Sequence, residues 1–188
     1  KQKCKVVHLP EIGTIWSVII DSKRRVWIGG DNGLHLYRQE SGECVPFSIG
    51  NKTSVDAEER YCVKAIAESS DGRIWVGIEN RGLGRVLPDR TIHMGYGKEQ
   101  QLDKVDVLAI HATSDRELYI GYANGLGVMD LDSERIVQRY TTRSGLYNNY
   151  IGCILEDTEH EIWVGSNSCI SRFDRKNKLF FHYLLSSN

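Results

Sequence analysis

A four-residue pattern of aliphatic, aromatic, aliphatic and glycine residues occurs four times at nearly constant spacing: Val26-Trp27-Ile28-Gly29, Ile74-Trp75-Val76-Gly77, Leu118-Tyr119-Ile120-Gly121 and Ile162-Trp163-Val164-Gly165. The aromatics stand 48, 44 and 44 residues apart. A fixed period of this length marks a repeat architecture, in which each copy is one supersecondary unit that buries its apolar face only against a neighbour. The register extends upstream. Aliphatic residues lie twelve before each aromatic (Ile15, Val63, Val107, Ile151), small ones ten before (Ser17, Ala65, Ala109, Cys153) and aliphatic ones again nine before (Val18, Ile66, Ile110, Ile154).

Each copy reads as four strands. Polar turns at 22–25, 69–73, 113–117 and 157–161 separate the first two strands as hairpin loops. Asn32-Gly33, Asn80-Arg81-Gly82 and Asn124-Gly125 then mark turns that need positive φ, whereas the fourth copy carries Ser168-Cys169 there. The last strand of each copy is expected at 44–49, 91–96, 135–141 and 179–184. No segment sustains a helical period.

The fold expected is therefore all-β: four four-stranded antiparallel propeller blades, spanning approximately 12–50, 60–98, 104–141 and 148–185. Residues 4–9 read as the outer strand of a preceding or closing blade. Such a strand either closes a ring with the last blade or belongs to an arc cut from a larger propeller, and the arc is favoured. The small column, Cys153 included, is expected buried at the crowded innermost strands. The four aromatics are expected to fill the space between blades.

Composition narrows the function classes. Of the residues 40% are hydrophobic and 26% charged, with a net charge of −1, so no electrostatic case exists for nucleic acid or an anionic membrane. No apolar run approaches the roughly 20 residues of a membrane span, and the first ten residues lack a signal peptide's apolar stretch. The five cysteines form no CxxC pair, and the six histidines form no HxH or HxxxH pair. No metal or other cofactor is therefore expected. No Gly-x-Ser-x-Gly elbow and no separated carboxylate pair point to hydrolysis.

The stretch 144–151, followed by Ile154-Leu155-Glu156-Asp157 and Ile162-Trp163-Val164-Gly165, resembles the two-component regulator propeller repeat. Arg25-Val26-Trp27-Ile28-Gly29 with Asn32-Gly33-Leu34, and Ile74-Trp75-Val76-Gly77 with Gly82-Leu83, match it again. The third copy departs with Tyr119, and the fourth departs after Gly165. The resemblance implies a sensor ectodomain of a bacterial hybrid two-component system. Such a domain is periplasmic and non-catalytic, recognises an oligosaccharide and signals to a histidine kinase. The alternatives are a protein-interaction or self-association scaffold and, with less support, a propeller lyase or hydrolase.

Propeller ligands bind where loops of successive blades converge on the central opening. The candidate ligand contacts are Trp16, Tyr61, Arg81, Asn149 and Tyr150 at that rim, and His111, a polar residue in an otherwise apolar column of the innermost strands.

Overall fold

A computed structural model of the chain describes residues 6–50 and 60–184. They form four antiparallel four-stranded sheets, each meandering outward from an innermost strand. The first sheet holds β1 (Ile15–Ile20), β2 (Val26–Gly30), β3 (Gly33–Arg38) and β4 (Glu43–Pro46). A short β5 (Ser48–Ile49) leaves that sheet and pairs in parallel with the outer strand of the second. The second sheet runs β6 (Val63–Glu68), β7 (Ile74–Ile78), β8 (Gly82–Val86) and β9 (Thr91–Met94). The third is β10 (Val107–Ala112), β11 (Glu117–Tyr122), β12 (Gly125–Asp130) and β13 (Arg135–Tyr140). The fourth is β14 (Cys153–Glu156), β15 (Ile162–Gly165), β16 (Cys169–Asp174) and β17 (Leu179–Leu184).

The first hairpin of every blade closes in the same way. A residue three before the aromatic adopts left-handed φ: Arg24, Gly72, Arg116 and His160. A polar residue six before the aromatic satisfies the turn. Asp21 accepts from the amides of Lys23 and Arg25 and from the Trp27 indole at 2.9 Å. Asp157 does the same for Glu159, Glu161 and the Trp163 indole. In the second blade Ser69 accepts from Trp75 and donates to Asp71, which takes over the turn amide of Arg73. The aromatic is thereby tied to the hairpin that precedes it. The glycines of the next turn, Gly33, Gly82 and Gly125, all have positive φ. In the fourth blade Ser166 donates through both its amide and its hydroxyl to the Cys169 carbonyl. Neither Ser168 nor Cys169 there has positive φ, so the lost Asn-Gly is not needed.

Blades stack face to face through three apolar clusters. Trp27, Leu34 and Phe47 meet Ile66, Ile74 and Val76 of the second blade. Trp75, Leu83 and Tyr96 meet Leu118 and Ile120 of the third. Tyr119, Leu126 and Tyr140 meet Ile162, Val164 and Phe173 of the fourth. Aromatic pairs, Trp27–Phe47 tilted and Trp75–Tyr96 edge-on, each at 5.2 Å between centroids, add about 0.5–1.5 kcal/mol beyond their buried area.

The stack is open at both ends, so the chain is a partial propeller. Val18, whose counterpart Ile66 is buried, is 54% exposed, and Ile20 is more so. On the fourth blade Leu155, Phe181 and Tyr183 face outward. Two expectations are corrected for this reason. Trp163 is only half-buried, stacked on Tyr183 of its own blade, because no following blade covers it. Cys153 is exposed rather than buried. Of the outer strand expected at 4–9, residues 4 and 5 lie outside those described and residues 6–9 are irregular. The outer strand expected at 44–49 breaks at Phe47, whose side chain turns into the cluster between the first two blades.

The glycine of the repeat pattern has a specific duty. A Cβ on Gly77 would sit 2.5 Å from Val107 Cγ1 and 2.7 Å from the Val107 carbonyl oxygen. Gly29 meets Val63, the first residue of β6, and Gly121 meets Ile151, two residues before β14, in the same way. A Cβ on Gly165 would meet only Cys153 Sγ, in its own blade. Gly77→Ala is therefore expected to cost about 1–3 kcal/mol by overpacking. Gly165→Ala should cost clearly less, because a thiol can rotate aside. Urea unfolding of both variants checks this, and equal losses would show that blade-to-blade approach is not what the glycine serves.

Candidate functional site

The innermost strands carry a shared irregularity where they begin. β1, β6 and β10 each contain a bulge, at Ile15/Ser17, Val63/Ala65 and Val107/Ala109. The residue left over is Trp16, Lys64 and Leu108 respectively, and Gly152 holds that column in the fourth blade. A bulge re-aims the side chain it isolates and commonly lies beside functional sites. Here it turns Trp16 and Lys64 out of the interblade core to meet one another.

Trp16 is 51% exposed. Its indole nitrogen donates to Asp31 Oδ1 at 2.7 Å, and the Thr14 amide donates to Asp31 Oδ2 at 3.1 Å. These hydrogen bonds, from Thr14 first and Trp16 next, hold the Asp31 carboxyl down at about 2. The Lys64 ammonium lies 3.4 Å from the Trp16 ring centroid and 3.7 Å from Glu79. Cys62 contributes a thiol 3.7 Å from Asp31. The result is a small platform at the junction of the first two blades: one half-exposed indole ringed by an ammonium, two carboxylates and a thiol. Such a set can stack on an apolar ring face and exchange hydrogen bonds at its edge.

The remaining candidates fall in different places. Arg81 stands in the β7–β8 turn two residues from Glu79, at the edge of the platform. Tyr61 is buried: its hydroxyl donates to the Phe47 carbonyl at 2.6 Å and accepts from the Leu34 amide, and burial pushes it up to about 12. Its role is to pin the first blade to the second. Asn149 accepts from the Thr142 amide at 2.8 Å and so braces the loop before β14. Tyr150 is exposed, but it belongs to the fourth blade while Trp16 belongs to the first. Lys64 was missed, although the repeat itself could have found it, since it occupies the column of Trp16.

His111 forms a separate cluster. Its Nε2 lies 2.9 Å from Glu156 Oε2, and His160 Nδ1 lies 2.8 Å from Glu156 Oε1. Glu156 thus ties the third blade to the fourth. Burial raises the Glu156 carboxyl, but the hydrogen bonds of His111 and then His160 outweigh it, so the group sits below its ordinary range. A second imidazole pair, Ser171 Oγ to His182 Nδ1 at 2.8 Å, has its hydroxyl buried where no substrate reaches it.

Residues 131–168, spanning the outer strand of the third blade and the first two strands of the fourth, match the family described as two component regulator propeller. That segment carries one copy of the repeat. Comparison with curated proteins yields no significant match. Among solved structures, the extracellular domain of BT3049 from B. thetaiotaomicron, assigned to a hybrid two component system, is similar at 22% identity. Its TM-score is 0.78, over 97% of this chain and 25% of that one. The extracellular domain of BT4673 from the same organism, assigned to a one component system, is 25% identical. Its TM-score is 0.66, over 85% of this chain and 21% of that one. A streptogramin B lyase shares the fold at 18% identity and a TM-score of 0.69, over 93% of this chain and 55% of that one. The chain thus spans a quarter or less of the length of the two extracellular domains.

The lowered Glu156 carboxyl has a signed consequence. Its contribution to stability is full above its ordinary value of 4.5 and is lost as pH falls through the depressed one. The urea midpoint of Glu156→Gln should therefore lie below that of the parent chain near neutrality, and the gap should close as pH falls below the ordinary value of 4.5 and through the depressed one. A gap independent of pH would show that the carboxylate charge does not hold the two blades together.

Proposed function

We propose that the chain is part of the ligand-sensing ectodomain of a hybrid two-component regulator, that it lies outside the cytoplasmic membrane, in the periplasm, and that it recognises an oligosaccharide without chemical turnover. The observation that carries the reading is the bulge-aimed, half-exposed Trp16 with Lys64, Asp31 and Glu79 around it. A pyranose has an apolar face suited to the free part of the indole and hydroxyls suited to the flanking carboxylates and ammonium. The propeller repeat and the likeness to extracellular domains of bacterial signalling proteins support the same assignment. The ligand state would be passed to a histidine kinase in the parent protein.

A second reading rests on the open ends. Val18 and Ile20 on one, and Leu155, Phe181 and Tyr183 on the other, form apolar faces that neighbouring blades cover at the inner positions. On this reading the chain is an association module, and its sedimentation coefficient should rise with concentration.

Calorimetric titration with a panel of neutral oligosaccharides tests the first reading. Binding is expected, and Trp16→Ala should weaken it by about tenfold or more, as truncating a central aromatic contact does. The far-UV spectrum should not change, because the ring is outside the core. No binding across a broad panel would overturn the carbohydrate assignment and leave the association module.

A further inference from the structure

The antiparallel register places the β1–β2, β3–β4, β6–β7 and β8–β9 turns at the opposite end of the strands from Trp16. A groove of about 560 Å³ opens there between the first two blades, a size within the range of small-ligand sites. Six of its lining side chains are cationic: Lys23, Arg25, Arg38, Arg73, Arg85 and Arg90. No acidic side chain lines it among the described residues. Its floor is apolar, from Leu36, Val45, Phe47 and Val86.

Four of the cations are held from behind. Arg25 pairs with Asp21 at 2.6 Å, Arg38 with Glu43 at 3.3 Å, and Arg85 with Glu134 at 2.5 Å. Arg73 pairs with Asp71 at 2.5 Å and also with Glu134. These carboxylates orient the guanidinium groups without lining the groove themselves. Lys23 and Arg90 pair with no acidic side chain among the described residues. The Nε–H of Arg85 is buried and has no hydrogen-bond acceptor. Pre-oriented guanidinium forks suit planar or tetrahedral oxyanions, and a recessed site weakens the screening that makes surface charge pairs negligible.

We propose that this groove is a binding site for an oxyanion, a sulfate ester, phosphate or carboxylate group, presented on a ligand whose apolar body lies along the floor. Lys23 and Arg90 supply the uncompensated charge, and the guanidinium groups of Arg25 and Arg85, each oriented by a carboxylate, supply further donors. The site is independent of the Trp16 platform and stands whether or not that platform binds sugar.

The test titrates the chain by calorimetry with sodium sulfate, sodium pyrophosphate and sodium glucuronate, each at ionic strength matched with sodium chloride. At least one should bind in the millimolar range or tighter, and which one does distinguishes the three sources of the oxyanion. The double variant Lys23→Ala/Arg90→Asn removes the two unpaired cations. Asparagine is chosen because residue 90 has a φ of 67°, which asparagine tolerates. This variant should lose affinity by about tenfold or more, consistent with removing two charges from a partly screened site. Trp16→Ala should bind the anion as the parent chain does. Equal anion affinity in the parent and the double variant would overturn the assignment, as would no binding of any of the three above the chloride background.

Discussion

The close approach of neighbouring blades at a glycine is the contact on which the rest of the molecule depends. In the first three blades the second strand brings its backbone at Gly29, Gly77 or Gly121 against Val63, Val107 or Ile151 at the entry to the innermost strand of the following blade, with no room for a methyl group. That distance sets how far the next sheet stands off. It also brings the tethered aromatic two residues upstream onto the aliphatic residues of that sheet. Aromatic and glycine act as a pair, one filling the interblade space and the other setting its depth. Every later feature, from the platform at the start of β1 and β6 to the basic groove at their far ends, lies on the seam between two blades so spaced.

Because one rule is used repeatedly, much of the architecture could be read from the sequence. The aromatic columns gave the blades, the polar turns gave the hairpins, and Asn-Gly gave the left-handed turn residues. What could not be read depended on neighbours outside the pattern. Trp163 and Cys153 match their columns in residue type, yet they are partly or fully exposed because burial here comes from the next blade rather than from the strand itself. Ile49 looked like the continuation of an outer strand, and only the fold shows it joined to another sheet.

The candidate site was legible to a lesser degree. Trp16 stood out because it is large where its column is otherwise Lys, Leu and Gly. Tyr61 stood out for similar reasons but is an internal tie, since its hydroxyl is consumed by backbone groups of the first blade. An exposed aromatic at a bulge and a buried aromatic at a seam look alike as letters. The difference is that Trp16 is the extra residue of a bulge inside β1, whereas Tyr61 lies in the loop before β6, and only the register decides that. The basic groove was invisible to composition, because a net charge of −1 averages over carboxylates placed behind the arginines and away from the groove.

The excursion of Ser48–Ile49 from the first sheet to the outer edge of the second makes one seam mechanically unlike the others. At the other two seams consecutive blades are joined by side-chain packing, a connecting loop and side-chain ion pairs, through Glu134 at one and Glu156 and Arg175 at the other. At this one the outer rim is also stitched by backbone hydrogen bonds, so prying the first two blades apart would have to unzip a strand pair as well as separate apolar surfaces. The first two blades are thus joined by a strand pair at the outer rim, whereas the later seams are crossed there by charged side chains.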